Sequence, residues 1–467
     1  MALKDLKNKL FGNSVNEEGT NASSDEGFCF GVEAVFSLSG SKDCIAAGRA
    51  YGRINKGDAV YVSNPGADFG EIGLTTVDGI EADRKQVPSI ENVMAAIRVK
   101  DGTKFDIKPG TVLHSRNASM KVVHDAYIGG LAGGYLEFQR MKLEQSDLDA
   151  MSLTDLAELF KYFSWRIKNG DKEKYKDIID RSKEIYEILG KTICSKILAL
   201  DEVYFLMSKK TGEPQMMSVT YEREDGNYMT TPPEILLVTK AYIDVWKKNF
   251  DPEKFEFIRI QNGEDKKGIY NFLGSTFYVN GACGVQLIYR EISIVADMLV
   301  KKPDYSGVPE IQIPVTNPDL ERWLLLIGQL DKATTPEEEK LHGILYSHLF
   351  RELAAAKFIV PMKLDREPGK TDDPGMVTLK QDTKMSLATQ QGKYDRDALR
   401  MYTDWKRFRR VYKEEDGWNG LIQPISGVID QFDCAINVTE YTAAGCYVDK
   451  EFYENSILKF VQQEKEQ

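Results

Sequence analysis

Two stretches of this chain run through one order of apolar patterns, and that repeat limits the possible folds more than any single motif does. The first opens at "SLTDLAELFKYFSWRI", where Leu156, Leu159, Phe160 and Phe163 share a helical face. "NGDKEK" breaks it. A second helical pattern follows, carried by Tyr175, Ile178, Ile179, Ile185, Tyr186 and Leu189, and then the β-type run "DEVYFLMS". The second stretch opens at "NPDLERWLLLIGQL", breaks at "DKATTPEEEK", resumes helically in "LHGILYSHLFREL" and reaches the β-type run "AKFIVPMK", which sets Phe358 opposite Phe205. Thr335 and Pro336 suit an N-cap and the first helical position. The tails agree. Each has a strand, a threonine (Thr239, Thr403) and a helix with a tryptophan (Trp246, Trp405). Each then has a strand ending in an asparagine (Asn280, Asn437), a turn and a further apolar run. Two copies about 160 residues apart predict a tandem pair of α+β domains rather than a solenoid. Their bounds are 151–310 and 317–460.

Residues 27–117 have a different texture. "FCFGVEAVFSLSG" and "DAVYVSN" are short β-type runs punctuated by Gly and Asp, which predicts a small all-β barrel. Within it, "NKGD" at 55–58 matches the tetrapeptide with which GTP-binding proteins read guanine. A phosphate loop, G-x-x-x-x-G-K-[ST], occurs nowhere in the chain, so nothing would hold the β- and γ-phosphates. "NKGD" therefore reads as a turn into the strand "AVYV", and the chain is expected to bind no GTP.

The segment "FSLSGSKDCIAAGRAYGRINKGDAVYVSN", followed by "TVDGIEADRK" and "DIKPGTVLH", resembles the second domain of elongation factor Tu and related translation factors. Gly40, Gly48, Arg49, Gly52, Ile54, Gly57, Asp58 and Val60 fit the first half of that pattern. Gly79, Ile80, Glu81 and Lys85 fit its hairpin, and Gly110, Val112 and Leu113 fit its end. The family's G-R-G-T turn is "GSKD" here, and "SIENVMAAI" replaces its A-G-D-N-V segment. The resemblance implies a six-stranded barrel used as an interaction module, without carrying over ribosome or tRNA binding. The second α+β copy resembles the SseB N-terminal domain in its helix-loop-helix, its "FIVPM" strand, its "YTDW" helix entry and its "INV" strand. The first copy departs from it, with "LVTK" and "VNG" at those places. That family implies no catalytic residues. It suggests a cytoplasmic, non-enzymatic interaction or regulatory protein, with a translation- or RNA-associated factor as the alternative.

Two segments connect these parts. Residues 118–150 hold "DAYIGGLAGGYLEF", whose glycine pairs match no phosphate fingerprint and are read as a hinge. Residues 1–26 place Leu3, Leu6, Leu10 and Phe11 at helical spacing beside Lys4, Lys7 and Lys9, ahead of a polar, acidic linker. Residues 2–11 read either as a weak peripheral membrane contact or as a frayed terminus. No apolar run reaches the ~20 residues of a membrane span, and "MALKDLKNKLFGNS" lacks the apolar core of a secretory signal.

A formal net charge of -11 argues against a broad nucleic-acid surface. The six cysteines stand singly, without a CxxC pair, which fits free thiols in a reducing compartment. His342 and His348 are six apart, on different faces of one helix, and His114 and His124 lie elsewhere. Cys283, in "NGACGV", shows no activating cation nearby. No catalytic, cofactor or metal site is expected. The most basic stretch is "DWKRFRRVYK". Trp405, Phe408 and Tyr412 have the spacing of a buried helical face, leaving Lys406, Arg407, Arg409, Arg410 and Lys413 to meet an acidic protein partner.

Overall fold

The computed structural model describes residues 27–64, 71–136, 141–287, 292–366, 369–370, 377–378, 382–392 and 396–466. The amphipathic segment and linker expected over 1–26 lie outside the described residues. The chain divides into two compact units, one within 13–197 and one holding 198–467. The division falls inside the stretch 151–310.

In the first unit, strands β1 (Cys29–Ser37), β2 (Cys44–Tyr51), β3 (Ala59–Ser63), β4 (Glu71–Ala82), β5 (Met94–Val99) and β6 (Val112–His114) pair in the order β3-β6-β1-β2-β5-β4. A further β4–β3 pairing closes the ring, and every pairing is antiparallel. Closure removes the open edges that a small sheet would otherwise expose. Inward positions carry apolar side chains, among them Phe30, Val32, Ala46, Val60, Val62, Ile80, Ile97 and Leu113, all buried in one cluster. "NKGD" is a turn, as expected. Gly57 has φ 97, and the Asp58 carboxylate accepts from the Asn55 amide at 2.8 Å.

The first six residues of β1 are buried without alternation, because a helix covers their outer side. That helix, α1 (Met120–Leu136), replaces the expected hinge at 118–150. Its glycines fall in two pairs one turn apart, and they let the backbones touch. A β-carbon on Gly130 would lie 2.6 Å from the Val32 carbonyl oxygen, and one on Gly134 would lie 2.6 Å from Pro109. Glycine here serves close approach rather than bending. Helices α2 (Leu153–Asn169) and α3 (Lys176–Ala199) follow. Ser152 caps α2 by accepting from the Asp155 amide at 3.1 Å.

The strands that position the site in the second unit form two main sheets, beside shorter two-stranded ones among the described residues. The first has β7 (Glu202–Ser208), β8 (Glu234–Thr239), β9 (Phe255–Gln261), β10 (Gly284–Leu287) and β11 (Ile292–Val295), with the short strands Glu213–Pro214 on β7 and Met216–Met217 on β8, and helix α4 (Gly268–Tyr278) between β9 and β10. β7 pairs antiparallel with β8 and β9, β8 parallel with β10, and β10 antiparallel with β11. Helices α5 (Pro318–Gln329) and α6 (Pro336–Ala355) come next. The second sheet joins a three-stranded and a four-stranded part through one bridge and includes β12 (Lys357–Leu364), β13 (Asp397–Met401), β14 (Asn419–Pro424), β15 (Asp433–Ile436) and β16 (Cys446–Val448). β12 pairs antiparallel with β14 and meets Tyr402, just after β13, through an antiparallel bridge at Ile359. β13 pairs parallel with β15, and β15 antiparallel with β16. Helix α7 (Trp405–Val411) leaves the end of β13.

The two pairing schemes correspond, with the β7–β8 ladder reduced to one bridge in the second. Matching Thr239 with Thr403 brings the pair Tyr204–Val238 onto Ile359–Tyr402. Phe205 and Phe358 then lie on corresponding strands but two residues out of step, with Phe358 at the place of Val203. The expected strand ending in Asn280 is instead α4. Ile269, Leu273, Thr276 and Phe277 are buried at helical spacing, so Asn280 stands in the turn after a helix, whereas Asn437 does follow a strand.

Candidate functional site

Buried charge is costly unless paired, so a cluster of it marks where side chains have been placed for a purpose. The second unit has one, centred on Arg407, and local structure builds it. Asp404 is the N-cap of α7, and its Oδ1 accepts from the Arg407 amide at 2.9 Å. That cap fixes the carboxylate one turn below the Arg407 side chain, whose Nη1 donates to Asp404 Oδ2 at 2.6 Å. Glu321, in the first turn of α5, brings Oε1 to 2.8 Å from Arg407 Nη2. This approach is too oblique for a hydrogen bond, so the attraction there is coulombic. Glu321 Oε2 lies 2.8 Å from Thr403 Oγ1 and accepts from Asn437 Nδ2 at 2.9 Å. Asn437 reaches that position through a left-handed backbone, φ 50, a conformation asparagine tolerates.

The other wall comes from Asn280, in the turn after α4, and Glu213, in a short strand of the first sheet. Arg407 Nη2 donates to Asn280 Oδ1 at 3.1 Å, and Asn280 Nδ2 donates to Glu213 Oε2 at 2.9 Å. Lys406 Nζ closes the set on the Glu213 carboxylate at 3.1 Å. Gln329 extends the junction: its Oε1 accepts from the Met216 amide at 2.8 Å, and its Nε2 donates to Pro214 O at 2.9 Å. Burial pushes the Glu321 carboxyl up to about 7, against the pull of Arg407 and with the help of Asp404. Burial alone would lower the Arg407 guanidinium, but Glu321, Asp404 and Glu213 more than reverse it, so it stays charged.

Beside the cluster lies a cleft of about 20 Å³, lined by Thr211, Glu213, Tyr402, Arg407, Arg410 and Asn437. That is room for one water-sized group and no metabolite.

Arg407 corrects the sequence reading. It was expected among the exposed cations and is instead only 9% exposed, because three carboxylates draw it inward. The other four cations differ in their surroundings. Lys406 is half exposed and tied to Glu213. Arg409 stacks over Trp405 and Phe408 and donates to Trp418 O at 2.8 Å. Arg410 is exposed over the Tyr441 ring, and Lys413 is exposed. Phe408 and Tyr412 are buried, and Trp405 is partly so. Glu321, Asp404 and Glu213 escaped the sequence reading, which took Asn280 only as the end of a strand. One signal was available: Glu321 shares a helical stripe with Leu324 and Leu325, where a carboxylate is out of place.

The histidines are dispersed. His114 bonds Ser63 Oγ at 3.0 Å, His124 meets Asp155 at 2.9 Å, and His348 stacks on Trp323. Burial raises the Cys283 thiol above its ordinary value, away from a reactive thiolate. Among the described residues, no group of three or more His, Cys, Asp or Glu is placed to hold a metal ion, and no helix is long and apolar enough to cross a membrane.

No protein-family model and no curated protein matches the chain. Among solved structures, the crystal structure of GDP-bound aIF5B from Aeropyrum pernix is similar at 12% identity and a TM-score of 0.18, over 46% of this chain and 52% of that one. The chain thus spans about half the length of that structure. A TM-score so low carries no conclusion about fold or function.

Proposed function

We propose that this chain is a cytoplasmic, non-enzymatic interaction protein of the SseB type, with a translation-factor-like barrel ahead of two copies of one α+β domain. The observation that supports it best is how the buried charges are spent. Arg407, Asp404, Glu321, Glu213 and Asn280 pair with one another across two sheets, which ties the sheets together rather than leaving the charges open to a substrate. The common pairing scheme of the two sheets supports their origin by duplication. On this reading the exposed Arg410 and Lys413 steer an acidic partner, and "NKGD" binds no GTP. Affinity capture of the intact protein from cell lysate, with wild type beside Arg410→Glu/Lys413→Glu, tests the reading. A partner retained by wild type and lost from the double variant in a salt-dependent way is the expected result. Equal capture by both counts against this surface.

The second reading, a translation- or RNA-associated factor, is favoured by the closed antiparallel barrel and its sequence pattern. Sedimentation with purified ribosomes over a salt series separates the two. Salt-dependent co-sedimentation of the wild type would replace the first reading by the second.

A further inference from the structure

Whatever the partner, the hydrogen bonds around the Thr403 hydroxyl constrain the protonation of the buried cluster. The hydroxyl has one hydrogen to donate. Its oxygen lies 2.8 Å from Glu321 Oε2 and 2.9 Å from Asp404 Oδ2, and it accepts from Asn437 Nδ2 at 3.0 Å. Two ionised carboxylates cannot share one hydrogen, so one short contact would join two acceptors. Asp404 already accepts from the amide and the guanidinium of Arg407. Glu321 is wholly buried, so its ionised form carries the greater penalty. A proton on Glu321 Oε2 donated to Thr403 Oγ1 lets Thr403 donate to Asp404, so that neither short contact joins two acceptors.

Charge agrees. The groups facing Glu321 are Arg407 and Asp404 from α7 and its cap, Glu213 from the first sheet with its partner Lys406, and the thiol of Cys446 from β16. Lys406 and Arg407 supply two positive charges. Glu213, Asp404 and Glu321 supply three negative charges if all are ionised, and two if Glu321 is neutral. A neutral Glu321 balances the junction, whereas an ionised one leaves a buried excess of negative charge.

We propose that Glu321 is a proton-dependent latch between the two sheets of the second unit, holding them together when protonated and loosening their junction when it ionises. The carboxyl holds its proton to about 7, above the ordinary glutamate value of 4.5. The folded state therefore binds the proton more tightly than the unfolded chain. The resulting stabilisation is complete below the unfolded value and is lost as pH rises to about 7.

The test uses the intact protein and Glu321→Gln, which keeps the shape of the protonated acid. Stability of both is measured by denaturation from about pH 5 to about pH 8.5. The ratio of the wild-type folding constant to that of the variant should fall by roughly a hundredfold over this range. Protection of the Met216 amide against hydrogen exchange should fall with it, because that amide donates to Gln329 across the junction. Parallel stability curves for the two proteins would overturn the latch. If Glu321→Gln does not fold, infrared spectroscopy of the wild type and Thr403→Val decides. A neutral carboxylic acid band should titrate near neutrality, and its midpoint should move in the valine variant. Absence of the band, or an unmoved midpoint, rejects the proposal.

Discussion

Arg407 and Lys413 stand six residues apart on one basic stretch, yet they face opposite physics. Arg407 is held by Asp404, Glu321 and Glu213 and is largely buried. Lys413 is exposed. Removing one member of a buried ion-pair set leaves the others uncompensated, at a cost of about 3–5 kcal/mol. Arg407→Ala is therefore expected to destabilise the second unit by about that amount in urea denaturation. Lys413→Glu should change stability by less than ~1 kcal/mol, as surface charges do. A pairwise charge reversal of Arg407 and Arg410 probes the fold as much as the surface. Arg410 and Lys413 are the positions at which recognition can be tested without unfolding.

Among the elements, α1 shows how packing outweighs helix propensity. Four glycines in seventeen residues weaken an isolated helix, each by ~1 kcal/mol relative to alanine. The helix forms because its bare backbone can lie on β1, where a β-carbon would strike backbone atoms. Gly130→Ala should thus destabilise the first unit by about 1–3 kcal/mol despite its better propensity, since overpacking forces the helix away from the strand. Gly343 in α6 is the control, because a β-carbon there meets nothing within 4 Å. Gly343→Ala should stabilise by up to ~1 kcal/mol. Thermal unfolding of the two variants against wild type checks both signs.

At the scale of the whole molecule, the barrel with its helices and the paired sheets each have their own core. Separate cores predict that calorimetry of the intact chain resolves two unfolding transitions. Gly130→Ala should lower one and Arg407→Ala the other. A single transition lowered by both variants would mean that the units unfold cooperatively.

The amino-acid sequence by itself determined the parts that depend on local period and turn chemistry. The glycine-punctuated strands of the barrel, the "NKGD" turn, the capped helix at Thr335, and the recurring strand-threonine-helix order are all legible because neighbouring residues specify them. Tertiary structure decided what depended on distant partners. The glycines of α1 became a packing face only because β1 lies against them. "STFYV" became helical because its apolar residues meet the first sheet's core at helical spacing rather than alternating. Arg407 went inside because Glu213, Asn280 and Glu321, remote in sequence, converge on it. Charge pairing acts through space, so a one-dimensional pattern that marks a residue as basic does not say whether water or a carboxylate will face it.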